Sequence, residues 1–286
     1  MKQTVTQMAL LAGLLAAPGL AQAQHYTVGL EGIKGASLPP PGVYFKDYNI
    51  GYYATRFEGQ GGPPGFTEAS VYVNAPRVIW ISDYKILGAN YGADVVVPFG
   101  YAHVKYAGFD HSSFGLGDIQ VEPLLLAWHL KQFDIAAGYA VWMPTGESVA
   151  NRADHLGLGF WGHMFTLGAT AFFDQEKTWA LSALNRFEIN HPQDDTHKTY
   201  GDTSTLEWGL SKTLAKRWDV GLIGYYQTEV NSTTGKTFKK SVTGVGPEVS
   251  VAFPDQMLFV SLRYAREFAS NRAEGNTFSL VITKKF

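Results

Sequence analysis

The chain has 286 residues, a formal net charge of −2, 14% aromatic residues and no cysteine. Its charges are scattered without a basic block, which argues against a nucleic-acid surface, and the missing cysteine excludes a disulfide framework and Cys-ligated metal sites. Mean hydropathy near zero beside so many aromatics fits strands with one wet and one apolar face.

Residues 1–23 read as a secretory signal peptide: Lys2, an apolar stretch from Met8 to Ala17, Pro18, then Ala21-Gln22-Ala23, with cleavage before Gln24. That stretch is too short for a helical membrane anchor, which takes roughly 20 residues. Removing it leaves 263 of the 286 residues, with no composition shift that marks a second domain. Residues 24–43 form a Pro/Gly-rich segment in which Glu31-Gly32-Ile33-Lys34-Gly35 leads through Ser37 and Leu38 to Pro39-Pro40-Pro41-Gly42-Val43-Tyr44. Successive prolines donate no ladder hydrogen bonds and favour extended chain. Two readings stand: a periplasmic tether, or a plug folded into a lumen.

From Tyr44 to Phe286 no stretch approaches 18 uninterrupted apolar residues, so membrane helices are excluded. Strand-length stretches recur instead, with short breaks at Ser82–Leu87, Leu130–Phe133, Asp174–Lys177, Leu214–Arg217 and Pro254–Gln256. Between them lie long breaks at Glu58–Glu68, Ala107–Gly115, Thr145–Leu156, Asn190–Asp202, Val230–Val242 and Ala269–Glu274. Five short turns and six long loops require twelve strands with both termini on one side. The predicted fold is therefore all-β: a closed antiparallel transmembrane barrel over 44–286, with short periplasmic turns and longer extracellular loops. A soluble β-sandwich fits less well, because Leu116–Leu130 and Arg217–Val230 outrun the five or six residues typical of soluble strands. Trp80, Trp128, Trp179 and Trp218 lie close to short turns, where an interfacial girdle belongs.

Face chemistry gives candidate lumen-lining residues. Ile119, Val121, Leu125 and Ala127 alternate with Asp118, Gln120 and Glu122, and carboxylates facing lipid are costly, so the second set points inward. The same parity places Asp94, Arg186, Glu188, Glu207, Asp219, Glu229, Glu248, Arg263 and Glu267 inside. These charges either brace the barrel by pairing across strands or guide a permeant. The second and sixth strands resist assignment: Arg77 and Asn74 fall on opposite faces, and Gly157–Gly168 alternates poorly, with bulges expected at Pro76 and among the glycines. The final strand runs through Thr277-Phe278-Ser279-Leu280-Val281-Ile282 to Phe286, whose place at the C-terminus marks an assembly signal.

Three stretches together resemble a known family: Pro39-Pro40-Pro41-Gly42-Val43-Tyr44-Phe45 opening the first strand, Gly115-Leu116-Gly117-Asp118-Ile119-Gln120-Val121-Glu122-Pro123 with Trp128-His129, and Gly138-Tyr139 through Pro144-Thr145-Gly146. The chain resembles the outer-membrane proteins labelled as involved in the meta-pathway of phenol degradation, also described as SphA-type transporters. A departure is Asp154-His155-Leu156-Gly157 before Trp161, where the family pattern has an Asn-x-Gly-like stretch. The resemblance implies a barrel that passes aromatic or other hydrophobic compounds across the outer membrane for catabolism. Tyr48, Tyr52, Trp142 and Tyr225 can offer flat apolar contact to such a solute, or serve only in packing.

Other motifs carry less. Gly115-x-Gly117 precedes a strand and lacks the following helix of a dinucleotide fingerprint. Asp110-His111, Asp154-His155, His191, Asp194, Asp195 and His197 sit in predicted loops, as solvated charges or as a divalent-cation bridge to lipopolysaccharide phosphates. His129, His163, Ser182, Ser211 and Ser261 leave a barrel hydrolase as the rival class, but no nucleophile motif joins them. A structural barrel with a closed lumen is a third reading. The expected protein is thus not an enzyme and needs no cofactor; its partners are outer-membrane lipid and lipopolysaccharide, the barrel assembly machinery, and a small hydrophobic or aromatic solute.

Overall fold

The computed structural model describes residues 24–149 and 152–286; the expected signal peptide and its cleavage point lie outside the described residues. Fourteen strand segments make one antiparallel sheet. They are β1 (Gly42–Phe57), β2 (Glu68–Ile86), β3 (Ala89–Val96), β4 (Phe99–Tyr106), β5 (Phe109–Leu116), β6 (Ile119–His129) and β7 (Phe133–Met143). After them come β8 (Gly162–Phe172), β9 (Trp179–Asn190), β10 (Thr203–Leu214), β11 (Trp218–Glu229), β12 (Ser241–Phe253), β13 (Leu258–Phe268) and β14 (Ala273–Lys285). Pairing of β1 with both β2 and β14 closes the sheet, so no wall edge is left at the seam.

Fourteen segments fill twelve positions around the wall. The long strand β2 faces β3 over Arg77–Ile86 and β4 over Glu68–Asn74. The pairs Arg77↔Val96 and Asn74↔Phe99 keep one register, so β3 and β4 are halves of one strand interrupted at Val97-Pro98. Pro98 has no N–H to give the ladder; its carbonyl accepts from Gly117 N at 2.9 Å, and Pro76 O accepts from Val97 N at 3.1 Å. The facing segments β5 and β6 break at 117–118 in the same way.

Several expectations need correction. The long loop expected at Ala107–Gly115 is instead a tight turn, with 109–116 paired as β5 against β4. Val104, Phe109 and Ala69 pack around that hairpin, which explains why the stretch folds rather than loops. The expected bulge at Pro76 is absent: β1 pairs with β2 through Asp47↔Pro76 without a register shift, and the interruption falls on the neighbouring strand. Gly157–Trp161 belongs to a loop, and from Gly162 to Phe172 the strand alternates cleanly. Leu125 and Ala127 do not face outward with Ile119 and Val121. A register shift between Val121 and Leu124, at Pro123, reverses the face, and Leu125 packs inside with Tyr44, Ile79 and Ile81. The first strand also starts at Gly42, two residues before Tyr44.

The outer surface carries the apolar side chains. Trp80, Trp179 and Trp218 are each more than 40% exposed near the short turns, and Trp128 donates from Nε1 to Leu87 O at 3.0 Å. One outward patch is polar: Asn49 and Asn74 donate to the Asp47 carboxylate at 2.8 and 3.0 Å, and Tyr72 Oη donates to Asn49 Oδ1.

Candidate functional site

Residues 24–41 run along the inner faces of the strands. Burying that chain requires partners for its amides, and inward carboxylates supply them. Glu188 on β9 accepts from His25 N and Tyr26 N at 3.1 and 3.3 Å. Glu207 on β10 accepts from Gly29 N, Leu30 N and Glu31 N at 2.5, 3.1 and 3.4 Å. Glu248 on β12 accepts from Ile33 N at 2.9 Å. Gly29 and Gly32 adopt φ of 77° and 67°, the left-handed region that turns the chain back toward these acids. At Gly32 a Cβ would stand 2.0 Å from Glu248 Oε2.

Side chains of the segment complete two clusters. The His25 ring lies between Glu188 Oε1, 2.7 Å from Nδ1, and Asp118 Oδ2, 3.3 Å from Nε2, with its face stacked on Trp142. Burial alone would lower its pKa, but the flanking carboxylates of Asp118 and Glu188, which favour the charged ring, outweigh that and raise it from 6.5 to about 9. Asp118 also accepts from Gly146 N and Leu158 N, so it ties the long loop after β7 to the N-terminal segment. Lower down, Glu31 meets Lys46 Nζ at 2.7 Å and both Arg77 Nη1 and Arg186 Nη2 at 3.0 Å. Burial would raise its pKa, yet Lys46, Arg186 and Arg77 hold it well below the usual carboxylate range. Arg77 in turn meets Asp94 at 2.5 Å and Glu122 at 3.1 Å.

The remaining sequence-predicted residues fall around these clusters. Asp94, Asp118, Gln120, Glu122, Arg186, Glu188, Glu207, Glu229, Glu248, Arg263 and Glu267 are all buried, while Asp219 is partly exposed and pairs with Lys34 at 2.8 Å. Arg263 lies 3.3 Å from Glu248 and donates to the Gly29 carbonyl; Glu267 holds Arg272 at 2.7 Å and Tyr52 Oη at 2.9 Å. Glu229 is separate, capping the Lys240 and Thr233 region of a long loop. Phe286 is 74% exposed, and its amide donates to Val43 O at 3.0 Å. Ser182 bonds Thr170 and the Ala36 amide, Ser261 bonds Ser250, and His163 bonds Tyr139, so these contacts join none of the three to a Ser–His pair. Among the described residues no group of three or more His, Asp or Glu is arranged to hold a metal ion.

Two cavities flank the Glu31 cluster. One, of ≈ 150 Å³, is bounded by Ile50, Val71, Val73 and Val96 with Tyr48, Tyr52 and Trp142. The other, of ≈ 720 Å³, lies toward the short turns beside Pro39, Pro40 and Phe253. Glu31, Arg77 and Arg186 border both. Of the four predicted aromatic contacts, Tyr225 is the exception; its hydroxyl donates to Glu267 Oε1 at 3.3 Å. Sequence reading missed His25, Tyr26, Glu31, Lys46 and Arg272 as site residues. The first three precede the strands and have no periodicity, and the one visible signal was a glutamate set among glycines.

A family model described as "Putative MetA-pathway of phenol degradation" matches residues 54–282. The chain belongs to that family. Among solved structures the family member resembles the COG4313 outer membrane channel from Pseudomonas putida F1, at 13% identity and a TM-score of 0.76, covering 88% of this chain and 97% of that one. It also resembles the beta domain of the Bordetella autotransporter BrkA, at 12% identity and a TM-score of 0.54, covering 86% and 100%. No curated protein sequence matches the chain. The fold of this family member is therefore that of an outer-membrane β-barrel.

Proposed function

We propose that the protein is an outer-membrane channel for passive or facilitated uptake of small hydrophobic, aromatic compounds that feed catabolism. The observation that carries this reading is the apolar cavity walled by Tyr48, Tyr52 and Trp142 inside a closed barrel. Rings of that kind give flat, sequence-tolerant contact to an aromatic solute, and the few polar groups around them orient it. The name of the P. putida relative, a channel, and the family description, phenol degradation, both agree with it. Residues 24–41 act as a plug that must shift or thin for a solute to pass from the smaller cavity to the larger. Export through a cleaved signal peptide, insertion by the barrel assembly machinery through Phe286, and contact with lipopolysaccharide at the long loops complete the proposal.

The test is uptake in intact cells. A strain lacking the protein should take up monocyclic aromatics more slowly than its parent, with rates restored by the plasmid-borne gene. Unchanged uptake and growth across a panel of aromatic substrates would sink the reading.

A further inference from the structure

We propose that Lys198 and Lys236, on the two long loops that follow β9 and β11, form a binding site for a phosphate monoester dianion. Neither residue borders either cavity, so occupancy of this site does not depend on what the barrel passes.

Hydrogen bonds between the loops bring the two lysines together. Thr234 N donates to Thr199 O at 2.9 Å, Thr199 N donates to Thr234 Oγ1 at 3.2 Å, and Gly201 N donates to Thr233 Oγ1 at 3.1 Å. Lys198 adjoins that cross-link on one loop, and Lys236 follows it on the other. Gly235, at φ 78°, tightens the second loop, and Lys236 N donates to Thr233 O at 2.9 Å. Both side chains are half-buried: Lys198 Nζ sits 4.7 Å from the centre of the Tyr200 ring, and Lys236 Nζ 5.2 Å from that of Phe238. The ring faces hold the ammoniums in place while taking some of their water away.

What the pair lacks is acid. Among the described residues neither ammonium has an ion-pair partner. Glu229 attracts both, and Lys240 beside them, yet its oxygens already accept from Lys240 N at 2.9 Å and Thr233 Oγ1 at 3.2 Å. The loop acids lie elsewhere: Asp202 accepts from Asn190 N and Asn231 Nδ2 at 2.9 and 2.8 Å, and Asp194 and Asp195 are exposed. Burial, and then repulsion from Lys236, lower the pKa of Lys198 to about 8; burial also lowers that of Lys236. Charge is thus crowded here without enough counter-charge. Each ammonium offers three donors and no acceptor. A phosphate monoester brings about −1.5 to −2 charge and three acceptor oxygens, so it can meet both ammoniums at once through charge-assisted bonds. A carboxylate brings one charge, which neutralises one ammonium.

The experiment titrates the full barrel in phosphatidylcholine nanodiscs with methyl phosphate or acetate at about pH 7.5, where the phosphate is mostly dianionic, and follows binding by calorimetry. Expected is saturable binding of methyl phosphate, at least about fivefold tighter than acetate. Lys198→Gln combined with Lys236→Gln should weaken it at least about tenfold, while Lys212→Gln, whose ammonium lies over Trp179 near the short turns, should leave it unchanged. Absence of saturable phosphate binding, equal affinity for acetate, or undiminished affinity in the double variant would each overturn the proposal. Should the double variant fail to give a folded barrel, judged by gel mobility of the unboiled sample, the comparison of methyl phosphate with acetate on the unaltered protein decides alone. Repeating the titration with diphosphoryl lipid A in the nanodisc identifies the source of the phosphate. Loss of methyl phosphate binding assigns the site to the lipid headgroup, and retained binding assigns it to a free phosphate ester; the proposal stands in either case.

Discussion

Nδ1 of His25 lies 2.7 Å from Oε1 of Glu188, inside the barrel and 163 residues along the chain. That pair, with Asp118 on the other ring nitrogen, makes docking of the N-terminal segment depend on pH. The folded pKa of about 9 lies above the 6.5 of a free imidazole, so the stabilisation is complete below 6.5 and is lost as pH rises through about 9. The gap corresponds to about 3 kcal/mol. Bilayer conductance, or protease cleavage of residues 24–41, should therefore rise between pH 7 and pH 10. In His25→Gln the step should disappear.

Glu31 faces three cations; its removal takes from Lys46 the acid it pairs with, while Arg77 keeps Asp94 and Glu122 and Arg186 keeps Glu207. Breaking one partner of a buried ion cluster costs about 3–5 kcal/mol. Glu31→Gln should release the segment while the wall remains folded. The expected readout is unchanged gel mobility of the unboiled barrel with a several-fold gain in conductance; an unaltered conductance would mean that the cluster does not close the path.

The register shift at Pro123 can be read directly. Nitroxide labels at Leu124→Cys and Leu126→Cys should be accessible to oxygen dissolved in lipid, and labels at Leu125→Cys and Ala127→Cys should not. Leu124→Arg should destabilise the barrel by about 2–4 kcal/mol, as charge does on a lipid face near mid-bilayer. Oxygen access at 125 would restore the unbroken alternation.

That shift also shows where sequence reading reached its limit. Twelve wall positions, the Trp band and the inward acids such as Glu188 and Glu248 were legible because alternation and turn spacing are local properties. Leu125 was misplaced because Pro123 changes parity without changing the hydrophobic pattern, both faces there being apolar. The β4–β5 hairpin looked like a loop because Asp110, His111, Ser112 and Ser113 are polar, yet His103 and Lys105 across the ladder pair with Asp110 at 2.9 and 2.7 Å. His25 and Glu31 could not be found at all by periodicity, since their roles depend on residues more than 40 positions away, as with Arg77 and Glu188.

Phe286 separates assembly from stability. Its side chain is mostly exposed, and its amide donates to Val43 O on β1. Deleting it should lower the amount of barrel in the outer membrane several-fold, while protein refolded in detergent loses no more than about 0.5 kcal/mol, the usual range for a surface change. Equal loss in both settings would make the residue a structural one.

The main chain shares in docking residues 24–41: the amides of His25, Tyr26, Gly29, Leu30, Glu31 and Ile33 all donate to wall carboxylates. The segment thus does for Glu188, Glu207 and Glu248 what water does in an open porin, hydrating acids with groups that every polypeptide carries. Gly29 and Gly32 keep those amides aimed, while the side chains of His25, Tyr26, Glu31 and Lys34 add ion pairs and hydrogen bonds to the wall. A barrel stripped of the segment would not be an empty version of this one; it would fill with water, and its interior would become a solvated acidic pore.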